Sequence, residues 1–81
     1  MLIYTHEITN DMQGFGRKWH VASFSAKKED RPEIARWCYQ AFGVPGYLPM
    51  IDDIRWKDGI NYGEIIFSRK QDLEWFILRW T

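Results

Sequence analysis

Apolar positions recur with a helical period in two stretches of the chain. Ile34, Trp37, Cys38, Ala41 and Phe42 stand at i, i+3, i+4, i+7 and i+8, one continuous apolar stripe. Asp30 followed by Glu33 reads as a capping box, with Pro32 tolerated in the first turn. Gly43 as a left-handed terminator and Pro45 as a barrier to resumption place this helix at residues 31–42. A second stripe, Leu73, Phe76, Ile77 and Trp80, follows Ser68, with Gln71 completing another capping-box pattern. It predicts a helix that begins at Ser68 and forms the last element, its final turn held only if Trp80 docks.

Strand signals fill the remainder. Asp58-Gly59 predicts a two-residue type I′ hairpin that pairs Lys57 with Ile60, Trp56 with Asn61 and Ile54 with Gly63. That register puts Ile54, Trp56, Ile65 and Phe67 on the core face and Asp53, Arg55, Lys57, Tyr62 and Glu64 on the other. Residues 44–51, with Pro45, Gly46 and Pro49, read as a rigid connection. Residues 2–8 and 18–26 predict two earlier strands, joined by Thr9 to Arg17. Ala22-Ser23-Phe24-Ser25-Ala26-Lys27 is echoed by Ile65-Ile66-Phe67-Ser68-Arg69-Lys70. In each, a strand ending in Phe-Ser feeds a basic residue and then a helix. The expectation is one α+β domain over residues 1–81, order ββαββα, a four-stranded antiparallel sheet with two helices on one face.

Composition narrows the function classes. A chain of 81 residues has room for one domain, and five Trp, five Phe and four Tyr give its small core large side chains. With 46% hydrophobic residues it is neither disordered nor collagen-like. Eleven basic residues balance eleven acidic ones, which argues against a general polyanion binder and against an acidic DNA mimic. Neutrality also removes a safeguard against self-association. The one cysteine, Cys38, excludes an intrachain disulfide. Residues Met1 to Glu7 lack the basic leader and apolar run of a signal peptide, and no stretch approaches a membrane span. A cytoplasmic protein is expected.

Candidate chemistry is sparse. His6 and His20, with Glu7 and Asp11 nearby, are the only metal-like grouping, and no His-x-His, His-Glu-x-x-His or second Cys supports it, so no metal is expected. Asp52 and Asp53 are adjacent and point to opposite faces of a strand, so they do not form a catalytic carboxylate pair, and Asp58 has a turn role. Cys38 lies on the apolar stripe as a small hydrophobe. Gly14-Phe15-Gly16-Arg17-Lys18 lacks phosphate-loop spacing but can form a rim whose Phe15, Arg17 and Lys18 touch a ligand. Neither a cofactor nor catalysis is expected.

Apolar surface is in excess. Trp75 and Leu78 lie about 150° from the centre of the second helical stripe, at about 100° per residue, on the supposed outer face. Either a partner or second subunit covers them, or a bend or a loop such as Val44 to Pro49 does. On the open sheet face, Tyr62, Arg55 and Lys57, joined by Tyr4 or Trp19, mix aromatics with cations, the chemistry of base stacking and phosphate contact.

The segment Gly63 to Trp80 resembles the ending of small tailed-bacteriophage accessory proteins, in which a strand ending in Phe feeds a short helix of the form Asp-x-x-x-Phe-x-Leu-x-Trp. Asp72, Phe76, Leu78 and Trp80 match that form. The resemblance implies a protein of the infected bacterial cytoplasm that acts by binding. The leading expectation is therefore a non-catalytic inhibitor of a host or antiviral-defence protein, working as a homo-oligomer through a surface that includes Trp75 and Leu78. The first alternative is sequestration of a small, cyclic nucleotide between subunits by Phe15, Arg17, Lys18, Arg55 and Tyr62. A further alternative is single-stranded nucleic-acid binding on the sheet face.

Overall fold

A computed structural model describes residues 1–10, 17–46 and 55–81. It contains strands β1 (Ile3–Asn10) and β2 (Arg17–Phe24), helix α1 (Arg31–Phe42), strands β3 (Trp56–Gly59) and β4 (Glu64–Phe67), and helix α2 (Lys70–Trp80). A 3-10 turn at Ile60–Tyr62 joins β3 to β4. The four strands form one antiparallel sheet in the order β1-β2-β4-β3. Both helices pack on the face carrying Ala22, Phe24, Trp56, Ile65 and Phe67, where Ile34, Cys38, Phe42, Leu73 and Phe76 complete the core. The α+β class and the element order expected from the pattern are those observed.

That order is unchanged when the two ββα halves are exchanged. Phe24 corresponds to Phe67 at an offset of 43 residues, and at that offset Ala22 corresponds to Ile65, its own cross-strand partner. A pseudo-two-fold therefore passes between Ala22 and Ile65 at the centre of the sheet. The halves differ in the link from strand to helix. Six residues separate β2 from α1, whereas two, Ser68 and Arg69, separate β4 from α2.

Local chemistry departs from expectation at each boundary. Asp58-Gly59 is not the hairpin turn: it lies within β3, and Trp56 opposes Phe67 rather than Asn61, a shift of six residues. Asp58 Oδ1 instead accepts the Ile60 N–H at 3.0 Å, opening a wider turn that Gly63 closes with φ +75°. A tight turn would have paired Ile60 with Lys57 on the outer face, whereas the wider one buries Ile60 in the core. An even shift keeps side-chain parity, so Trp56, Ile65 and Phe67 keep the core positions assigned to them. Ile54 and Asp53 lie outside the described residues.

Neither capping box forms. Asp30 has helical dihedrals as the end of a preceding turn and offers α1 only its carbonyl, which accepts the Ile34 N–H at 3.1 Å. Ser68 is diverted: its N–H and hydroxyl both donate to the Arg55 carbonyl, at 3.0 and 3.1 Å, and α2 starts two residues later at Lys70. Gly43 does end α1 at positive φ (+84°), but with an extended ψ of −159° rather than a left-handed helical one. Trp80 is docked against Trp37 and Phe76, which holds the last turn of α2.

The face opposite the helices is not bare. Trp19 and Val21 point there and are 2% and 1% exposed, and the Lys57 ammonium lies 5.1 Å from the centre of the Trp19 ring.

Two measurements check this account. A Cβ on Gly63 falls 2.5 Å from the Phe24 carbonyl oxygen, and the residue needs positive φ, so Gly63→Ala should destabilise by about 2 kcal/mol or more in urea titration. Burial, reinforced by the negative charge of Asp58, pushes the Cys38 thiol from 9.0 up to about 12. The folded state therefore holds a proton that the unfolded state releases. Stability from this group should be complete below pH 9 and fall by up to about 1.4 kcal/mol per pH unit as pH rises towards 12. Cys38→Ala should abolish that component of the pH dependence, read by denaturant titration at several alkaline pH values.

Candidate functional surface

Arg55 was expected on an open sheet face, and the structure commits it elsewhere. Its Nε donates to Asp72 Oδ2 at 2.9 Å and its Nη2 to Asp72 Oδ1 at 3.2 Å, a two-pronged pair joining the start of β3 to the first turn of α2. Asp72 is 4% exposed, and it sits where a helix N-terminus favours negative charge. The guanidinium lies 5.4 Å from the centre of the Phe42 ring, at the end of α1. The hydrogen bond to Asp72 raises the Arg55 pKa still further above its ordinary value, against a smaller opposing effect of burial. Two of the five guanidinium N–H donors are thereby committed to Asp72.

The aromatic seam between the helices makes the more prominent surface. Trp37 on α1 meets Phe42, Trp75, Phe76 and Trp80, with ring centres 5.4 to 6.2 Å apart. Trp75 also meets Phe42 edge-on at 5.5 Å. Trp75 is therefore tilted towards α1 rather than projecting freely, but 47% of it remains exposed. Leu78, three residues on along the same helix, is 81% exposed. Glu74 and Arg79 are exposed beside them, and the Arg79 guanidinium lies 4.4 Å from the centre of the Trp80 ring. The result is an apolar patch of tryptophan and leucine with a charged rim. Trp37, which the sequence reading assigned only to the core stripe, is the residue that carries it. The signal lay in its place on the α1 stripe, but nothing local shows that α2 would turn Trp75 towards it.

Of the residues assigned to a nucleotide between subunits, Lys18 and Tyr62 lie apart within one chain. Lys18 is exposed near the start of β2, opposite Thr9, whereas Tyr62 follows the far end of that strand, where the Phe24 N–H donates to the Gly63 carbonyl. Six residues of strand, roughly 20 Å, separate Lys18 from Phe24. Arg17 begins β2, and Phe15 lies outside the described residues, as do Gly14, Gly16, Asp11, Asp52 and Asp53. Trp19 is buried and cannot stack on a base from solution.

The histidines part by strand parity. His20 faces the helix side with Glu7, its Nδ1 3.7 Å from Glu7 Oε1, while His6 opposes Val21 on the other side. Among the described residues no group of three His, Cys, Asp or Glu side chains is placed to hold a metal ion. Two shallow, open depressions lie among the described residues. One, of about 360 Å³, lies between Lys28, Arg31, Asp58 and Asn61; the other, of about 440 Å³, lies between Leu2, Tyr4, Tyr62 and Glu64. Among the described residues no helix is long and apolar enough to cross a membrane.

Comparison with protein-family models, curated proteins and solved structures returned no match.

The Arg55–Asp72 pair predicts an asymmetric response to mutation. Arg55→Ala strands a carboxylate that solvent barely reaches, and should destabilise by about 2–4 kcal/mol. Asp72→Asn leaves a guanidinium that is 38% exposed and can turn to water, so its cost should be about 1–2 kcal/mol. Urea denaturation of both variants tests the order, and equal costs would remove the distinction.

Proposed function

We propose that this chain is a non-catalytic binding protein whose partner is another protein, engaged through the Trp75–Leu78 surface of α2. The observation that carries the reading is the exposure of Leu78 and half of Trp75 beside Trp37 and Trp80. Tryptophan is the residue type most enriched in interface hot spots, where a large ring fills a dehydrated pocket. A rim with both signs of charge, Glu74 and Arg79, suits a protein surface better than a polyanion, as does the zero net charge of the chain. The resemblance of residues 63–80 to the ending of small tailed-phage accessory proteins supplies the setting. In it the chain acts in the cytoplasm of an infected bacterium, blocks a host or antiviral-defence protein, and works as a homo-oligomer. Within one chain Lys18 and Tyr62 lie apart and Arg55 is paired with Asp72, so the protein-partner reading is preferred to the nucleotide alternative.

Leu78→Ser changes an exposed side chain and should leave stability within about 0.5 kcal/mol of the parent. Retention of a bacterial target protein by the immobilised chain should nevertheless fall about tenfold or more. The check is a pull-down from bacterial lysate with both proteins, alongside their thermal unfolding curves. If Leu78→Ser retains the same proteins in the same amounts, the α2 surface is not the contact.

A further inference from the structure

The sheet has two edges, and they are unlike. The β3 edge is four residues long and carries Lys57, Asp58 and Gly59, the short and charged form that discourages strand addition. The β1 edge runs eight residues, each in register with β2 from Ile3 opposite Phe24 to Asn10 opposite Arg17, so no bulge interrupts it. It contains no Pro, Gly, Lys or Arg, and half of it is β-branched: Ile3, Thr5, Ile8 and Thr9. Among the described residues its only strand neighbour is β2. Large exposed apolar side chains also concentrate there. Of nine among the described residues, Tyr4 and Ile8 lie on β1, and Met1 and Leu2 immediately precede it.

We propose that β1 pairs antiparallel with β1 of a second copy of this chain, joining two sheets into one. The two-fold relating such copies must stand normal to the sheet, which keeps each residue opposite one facing the same way. Centred on His6, this places Tyr4 opposite Ile8 on both sides of the axis, Thr5 opposite Glu7, and Ile3 opposite Thr9. Aromatic against β-branched is a favourable cross-strand pair. A centre at Glu7 would set two carboxylates face to face, and a centre at Thr5 would shorten the pairing and set Ile3 against Glu7. The His6 register alone matches Tyr4 with Ile8 over most of the strand without opposing like carboxylates. It also puts the helices of both copies on one side of the joined sheet, with both Trp75–Leu78 surfaces free. The inference rests on the function proposed above only in leaving α2 to the partner protein.

Cysteine scanning tests the register directly. Residues opposed across the axis have Cα atoms about 4.5–5.5 Å apart, within disulfide range. His6→Cys should therefore crosslink to itself under mild oxidation. Tyr4→Cys alone and Ile8→Cys alone should not, because their copies lie roughly 13 Å apart, but a mixture of the two should crosslink. Cys38 is buried and takes no part. Sedimentation velocity from micromolar to millimolar protein should show a monomer–dimer equilibrium, with His6→Lys weakening the dimer about fivefold or more. A monomer at every concentration would overturn the proposal, even if the chain captured an extended segment of another protein. So would crosslinking indifferent to position, or a dimer lost in Leu78→Ser and kept in His6→Lys. Retention of a bacterial protein by the His6→Lys monomer separates failure here from failure of the α2 reading.

Discussion

Arg55 stands where four elements meet. Its side chain grips Asp72 at the start of α2 and lies over Phe42 at the end of α1, while its carbonyl accepts both donors of Ser68 at the end of β4. Its own backbone leads into Trp56 of β3. Burying the Asp72 carboxylate costs several kcal/mol in desolvation, and only a partner with matching geometry offsets it. The two-pronged guanidinium does so at one distance and one orientation, which fixes where α2 sits relative to the sheet edge. The position of Trp75 against α1, and hence the exposed strip beside it, follows from that placement.

The helix layer depends on ring geometry more than on aliphatic packing. Trp37, Phe42 and Phe76 each meet several other rings at steep or tilted angles. Such pairs contribute about 0.5–1.5 kcal/mol beyond the area they bury. In a chain too short for a deep core, large rings supply area that extra residues would otherwise provide. The Trp56 indole N–H is satisfied by the Gly43 carbonyl at 3.0 Å, which ties the end of α1 to β3. That of Trp80 is buried without a hydrogen-bond partner among the described residues, and its ring is held by Trp37, Phe76 and Arg79.

What could be read in the sequence followed from periodicity, and what could not followed from competition. The α1 boundaries and the inward faces of both helices are consequences of spacing alone, and so is the core role of Trp56, Ile65 and Phe67. The β3–β4 register was lost because Asp58-Gly59 satisfies a tight turn locally, while burying Ile60 favours a wider one. Both capping boxes failed for similar reasons, since Asp30 was absorbed by a preceding turn and Ser68 was bound by Arg55. Strand alternation sends Arg55 outward, and only the presence of Asp72 across the sheet edge turns it inward. Burial of Trp19 carries no local signal at all. At the candidate surface, Trp75 and Leu78 were legible as an excess of apolar residues, but the tilt of Trp75 towards Trp37 was not.

The sheet order β1-β2-β4-β3 places at its centre two strands from different halves of the chain. β1–β2 and β3–β4 are each neighbours in sequence and can form on the microsecond timescale of hairpins. The β2–β4 pairing closes a loop of about forty residues, between Ser23 and Glu64, and carries the larger entropic cost of a distant contact. During synthesis the first half therefore waits with the inner edge of β2 open until β4 has emerged. The contact that is costliest in chain entropy is therefore the one across the pseudo-two-fold, with Ala22 and Ile65 at its centre.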